Sequence, residues 1–223
     1  MSGPAVTRGA DREEVAERAA EVFATTADAA RTVHGAAHVA LSGGSTVGRV
    51  YELAGPMLPD WRDVHLWFGD ERMVALDDGE SNYRLSREHL DAPGATWHPV
   101  PTELPPEEAA AAYGRELAGV TLDLALNGMG PDGHTASLFP GFDQVQQRGV
   151  CFAVHGSPKP PPERITLSME VFNAARRILL VVTGADKAPM LARVLERADP
   201  AVPASLLERD VLEIVADAAA LDG

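Results

Sequence analysis

Residues 178–183 read Ile-Leu-Leu-Val-Val-Thr, an apolar run with one hydroxyl at its end. A strand of this composition has no face to offer water, so apolar layers must cover it on both sides. Parallel strands joined by helical crossovers give that arrangement, because the helices pack on both faces of the sheet. The rest of the chain supplies the parts. Apolar runs at 38–41, 64–68 and 122–126 read as further strands, and weaker extended runs fall at 150–154, 165–167 and 211–215. Helical stretches lie between them at 11–30, 46–54, 81–90, 107–118 and 185–195. In the first, Val15, Ala19, Val22 and Phe23 recur at helical spacing, and Asp11 with Glu14 forms a capping pair. No internal repeat, low-complexity tract or dividing linker interrupts the alternation. The expected architecture is α/β: one domain over 1–223, Rossmann-like, with a mainly parallel sheet and helices on both faces.

Folds of this kind carry their chemistry in the loops at strand ends. The most specific of these loops is 127–141, Asn-Gly-Met-Gly-Pro-Asp-Gly-His-Thr-Ala-Ser-Leu-Phe-Pro-Gly. Its four glycines and two prolines forbid a quick return to regular structure. His134 sits in the middle and is the candidate for proton transfer, because imidazole can act as base and then acid near neutrality. Asp132 can orient it, or can cap the loop instead. The spacing Gly128-x-Gly130-x-x-Gly133 formally matches a dinucleotide fingerprint. That fingerprint must open a helix, and Pro131, Gly133, Pro140 and Gly141 break one here. No second histidine or cysteine stands at metal-ligand spacing nearby.

Two other strand ends carry polar residues. Ser42-Gly43-Gly44-Ser45-Thr46 joins a strand to a helix, so its amides, hydroxyls and glycines can cradle an anion. The same residues also suit a tight turn with Ser45 as N-cap. Gly69-Asp70-Glu71-Arg72, followed by Ser81-Asn82, can wall a pocket, with Arg72 facing an anion or a developing oxyanion. Lys159 and Arg164 flank the stiff segment Pro160-Pro161-Pro162-Glu163. Lys187 falls in the first turn after the apolar strand, where the helix dipole disfavours a cation unless an anion accompanies it.

The formal charge of −14 argues against nucleic acid as a partner, although a local group of cations can still hold a small anion. Cys151 is the only cysteine, which fits a reducing, cytoplasmic compartment. No apolar stretch is long enough to suggest a membrane span.

In this order the motifs resemble the 6-phosphogluconolactonases of the glucosamine-6-phosphate isomerase/6-phosphogluconolactonase family. The matching stretches are Leu41 to Thr46, Gly69 to Arg72 with Ser81-Asn82, Gly128 to Gly141, and Pro162-Glu163-Arg164-Ile165-Thr166-Leu167. After Asp-Gly-His the deaminases of that family continue Ile-Ala-Phe-Asn-Glu-Pro, whereas this chain continues Thr-Ala-Ser-Leu-Phe-Pro, the lactonase version. Val47 replaces a usual proline and Asn127 a common glycine, the latter a residue that tolerates unusual backbone angles. The resemblance implies a fold related to glucosamine-6-phosphate deaminase and hydrolysis of a sugar-phosphate lactone without metal or organic cofactor. It implies His134, Asp132 and Arg72 as the catalytic group. For the substrate and its phosphate it implies Ser42, Gly43, Gly44, Ser45, Thr46, Asp70, Gly130, Arg164 and Lys187. A monomer or small homo-oligomer is expected.

Overall fold

Asp11 starts the first helix as its sequence predicts. Its carboxylate accepts hydrogen bonds from the amides of Glu13 (2.9 Å) and Glu14 (3.0 Å), and Glu14 reaches back to the amide of Ala10 (2.8 Å). The computed structural model describes residues 3–223. Strand β1 (Ala5–Gly9) precedes helix α1 (Arg12–His34), which leads to β2 (Ala37–Leu41), α2 (Ser45–Met57) and β3 (Val64–Phe68). Next come β4 (Asp70–Arg72), α3 (Asn82–His89), β5 (Thr96–Trp97), α4 (Pro106–Leu117) and β6 (Leu124–Gly128). The last part holds β7 (Cys151–Val154), β8 (Arg164–Leu167), α5 (Met169–Asn173), β9 (Ile178–Val182), α6 (Ala188–Glu196), β10 (Leu212–Asp217) and α7 (Ala218–Asp222).

Seven strands form one sheet in the order β1-β10-β9-β6-β2-β3-β5, and every neighbouring pair in it is parallel. From β2 the chain first moves outward through β3 to β5, then returns to build β6, β9 and β10 on the other side. Right-handed crossovers therefore put α1 and α2 on one face and α6 on the opposite face. The reversal falls between β2 and β6, whose register extends only over Val39↔Leu124 and Ala40↔Ala125. A crevice at such a reversal is where open parallel sheets bind ligands.

All five residues of β9 are buried, as the apolar run requires. Helix α1 lays Val15, Ala16, Ala19, Ala20, Phe23, Ala24, Ala27 and Ala30 on the core. This alanine-rich stripe lets the helix axis lie close to the sheet. The helix runs four residues past the expected end and stops at Gly35, whose φ of 81° supplies a left-handed cap. One continuous core joins the elements, with Phe23, Tyr51, Trp61, Trp67, Tyr113 and Phe172 among its largest members.

Besides β5, α5 and α7, which were not foreseen, two features depart from the sequence reading. Strand β1 was not foreseen: its five residues are mostly exposed, and it is held by parallel backbone pairing to β10, from Ala5↔Glu213 to Gly9↔Asp217. Residues 70–72 are more than a strand end. They form β4, which pairs antiparallel with β8, and β8 pairs with β7 in a separate three-stranded sheet. No described helix is long and apolar enough to cross a membrane.

Candidate active site

The C-terminal ends of β2, β6 and β9 open into a cleft of about 500 Å³. The first wall begins at Ser42. The Tyr51 hydroxyl, fully buried on α2, accepts from the Ser42 amide (2.9 Å) and donates to the Ser42 carbonyl (2.8 Å). It thereby fixes the point where β2 becomes a loop. Gly43 follows under the amide of Asn82: a Cβ there would lie 2.1 Å from Asn82 Oδ1. Gly44, with φ 120°, turns the chain into α2. No side chain caps this helix, so its first amides stay open toward the cleft. Ser45, expected as a possible N-cap, is the first helical residue. Thr46 Oγ1 lies 2.9 Å from Thr183 Oγ1, tying this wall to the end of β9.

The loop after β6 contains the proposed base. The His134 carbonyl accepts from the Gly130 amide (2.9 Å), and Gly133 bonds back to the Gly130 carbonyl (2.9 Å). No α-helix opens at the glycines, as the rejection of a dinucleotide fingerprint anticipated. Nδ1 of His134 lies 2.5 Å from Asp132 Oδ1. An ionised carboxylate only accepts, so Nδ1 carries the proton and Nε2 keeps its lone pair. Burial lowers the His134 pKa, while the Asp132 charge and hydrogen bond raise it, and burial prevails. The imidazole is therefore neutral near neutral pH. The Asp132 carboxyl sits below its ordinary range: burial raises it, and the charge and hydrogen bonds of His134 outweigh that.

Gly130 is required sterically. A Cβ would stand 2.0 Å from His134 Cε1 and 2.7 Å from Asp132 Oδ1. Gly133 needs its φ of 82°, and Val202 would crowd any side chain at that position. Its carbonyl accepts from Ala204, so the segment before β10 backs the loop. Ala136 adopts φ 48°, a strained backbone for a non-glycine residue. The adjacent Ser137 donates to Asp70 Oδ2 (2.7 Å), which anchors the loop to the second sheet.

That second sheet presents Asp70, Arg72 and Arg164. Glu71 points away from the cleft and is fully buried. It accepts from the amides of Arg72, Asn82 and Tyr83 (2.7–2.8 Å) and so fixes both Arg72 and the start of α3. Burial raises its pKa and these backbone donors oppose the rise. The Arg164 guanidinium is nearly inaccessible and donates to the carbonyls of Pro161 (3.1 Å), Lys159 (3.1 Å) and Pro160 (3.0 Å). It holds the proline-rich loop in the shape that brings Lys159 to the cleft.

The cleft brings together Ser42, Gly43, Gly44, Ser45, Thr46, Asp70, Arg72, Gly130, His134, Arg164 and Lys187. Five cations line it (Arg12, Arg72, Lys159, Arg164 and Lys187) against a single carboxylate, Asp70. In a chain of net charge −14 this is a strong local reversal that favours anions. Sequence reasoning missed Arg12, Asn82's steric role and the Tyr51 clamp. None of these has a local pattern, because each acts across the fold. Asn127 needs no unusual backbone: it lies in regular β6, buried, with neither amide atom hydrogen-bonded.

The site thus holds a neutral imidazole, oriented by a carboxylate, beside an anion cradle at the reversal of a parallel sheet. A model of the family described as glucosamine-6-phosphate isomerases/6-phosphogluconolactonase matches residues 10–215, and the chain belongs to that family. Human 6-phosphogluconolactonase is 42% identical over 189 residues, which cover 75% of this chain and 72% of that one. The solved 6-phosphogluconolactonase of Trypanosoma brucei superposes with a TM-score of 0.89 at 28% identity, covering 99% of each chain. A monomeric glucosamine-6-phosphate deaminase shares the fold, with a TM-score of 0.83 at 20% identity over 98% of this chain and 99% of that one. The chain is an enzyme of this family, and by sequence it groups with the lactonases.

Proposed function

We propose that the cleft hydrolyses 6-phospho-D-glucono-1,5-lactone to 6-phospho-D-gluconate, the ring-opening step of the oxidative pentose phosphate pathway. The observation that carries this reading is His134, held from behind by Asp132, in a cleft lined by five cations. Nε2 of His134 takes a proton from water as the water oxygen attacks C1. Charge develops on the carbonyl oxygen, where Arg72 and the amides around Gly43 and Gly44 are the available donors, the Gly130 amide being already bonded to the His134 carbonyl. As the intermediate collapses, the bond from C1 to the ring oxygen breaks and that oxygen takes the proton back from His134. The product ionises to a carboxylate and releases one proton to solvent.

Lys187, Ser45, Thr46 and the open amides of α2 bind the phosphate in this scheme. Arg164 adds charge and holds Lys159 in place. Fixing the remote phosphate lets binding energy orient the carbonyl. A δ-lactone is already an activated ester, so the scheme calls on side chains and water alone. We place the reaction in the cytoplasm, where the lone Cys151 thiol, pushed up to about 12 by burial, stays reduced and inert. A monomer or small homo-oligomer suits it. The test is an assay with freshly generated lactone, corrected for spontaneous opening, that follows 6-phosphogluconate. Opening no faster than in buffer would overturn the proposal.

A further inference from the structure

Arg12 is a cation without a local purpose. It occupies the first position of α1, where the helix dipole disfavours positive charge. Every carboxylate around it is engaged elsewhere. Asp11 caps the helix, Glu13 is bound by Arg49 from α2 (2.6–3.1 Å), and Glu14 pairs with Arg18 (3.2 Å). Arg12 itself has no ion-pair partner among the described residues. Yet it lines the cleft.

The Arg49–Glu13 pair explains how it arrives there. Arg49 lies one turn into α2, the helix whose open end starts at Ser45. Its grip on Glu13 docks the first turn of α1 beside the first turn of α2, next to Thr46 and its partner Thr183. The residue before Glu13 is thereby set at the rim of the anion cradle. Lys187 is partly neutralised by Asp186, 2.5 Å away. A phosphate monoester carries about −1.5 to −2 charges at neutral pH. Lys159 and Arg164 stand elsewhere along the same cleft, and Arg12 brings a further cation from α1 to meet that charge.

Resting on the proposed lactonase reading, we infer that Arg12 is a second phosphate-binding cation and sets the preference for phosphorylated over unphosphorylated lactone. The guanidinium swings onto phosphate oxygens that the open amides of α2 and Lys187 hold from the other side. It touches no reacting atom, so its contribution is to binding.

The experiment pairs kinetics with direct binding. In Arg12→Ala, KM for phosphogluconolactone rises about tenfold while kcat changes less than about twofold, the signature of uniform binding lost. KM for glucono-1,5-lactone, which lacks the phosphate, does not follow that rise. Inorganic phosphate, titrated calorimetrically into the apo protein, loses affinity by a similar factor, and Arg12→Lys recovers part of it. Arg12 is exposed, so the variant folds normally, and an unchanged Tm checks this. Equal KM and equal phosphate affinity in wild type and Arg12→Ala would overturn the inference. Absence of lactone turnover in the wild type would instead defeat the functional proposal, and the phosphate titration would still decide the role of Arg12.

Discussion

Nδ1 of His134 donates to Oδ1 of Asp132, two residues earlier, across the face of Gly130. The short loop thus carries the proposed base, its orienting group and the space for both. Replacing His134 by Ala lowers kcat by about 10²–10⁴-fold with the fold intact, as expected when a general base is lost. Steady-state kinetics beside a circular dichroism spectrum check this, and a near-normal kcat removes His134 from the reaction.

The Asp132 carboxylate has a separable effect on pH dependence. The proposed reaction needs neutral His134, whose pKa lies below the ordinary histidine value because burial outweighs Asp132. Activity therefore persists to lower pH than an unperturbed histidine would allow and falls as the imidazole takes up a proton. Asp132→Asn removes the nearer of the two negative charges that raise this pKa, Asp70 being the other, so the acid limb of kcat/KM moves to still lower pH while kcat falls. A limb that moves upward contradicts the assignment.

Gly130→Ala tests the packing directly. The added methyl meets His134 and Asp132 at 2.0–2.7 Å, and one of them must move. The expected result is a fall in kcat of about 10²-fold, the scale of a misplaced catalytic group. The change in Tm is the smaller effect, because the displaced groups lie at the cleft. Full activity would mean that the ring's position is not what matters.

Tyr51→Phe leaves the amide and carbonyl of Ser42 buried without their partner. Each orphaned group costs about 1–3 kcal/mol, so denaturant unfolding shows a loss of that order. KM rises as well, because Ser42 leads into the anion cradle. Lost stability with an unchanged KM would show that the clamp serves the core alone.

Stability itself falls on acidification below the ordinary histidine range. His38, His65 and His134 all have depressed pKa values, with burial the leading cause in each. His38 stacks on His65 at 4.6 Å, and His65 Nδ1 meets His98 Nε2 at 3.0 Å beside Glu116, with Asp63 and Asp123 nearby. Below about pH 6.5 the unfolded chain binds more protons than the folded one, so the free energy of unfolding drops through the folded pKa values. His155 has the opposite sign through Glu163 and Glu107, but it is exposed and screened. Urea melts at pH 7.5 and 5.5 measure the difference; higher stability at pH 5.5 contradicts it.

The parts of the fold legible in sequence were those written in side-chain pattern. The run at 178–183 announced a doubly covered strand, and the capping group at Asp11 announced α1. Strand β1 left no pattern, since it is stabilised by backbone pairing at an edge. Strand β4 was masked by its charges, which read as the polar end of the preceding strand until β8 lay beside it. In the site, glycines and the histidine stood out because local chemistry demands them. Arg12 and Tyr51 did not, because an arginine in a helix and a tyrosine in a core become informative only once α1 and α2 are docked.

The proton-handling loop grows from the parallel framework, whereas Arg72 and Arg164 ride on the small antiparallel sheet beside it. Hydrogen bonds such as Ser137 to Asp70, and a shared core that includes Ile165 and Leu167, join the two. A substitution that shifts the small sheet therefore displaces Arg72 and Arg164 relative to His134, so grip on an anion and proton handling both depend on how the two sheets meet.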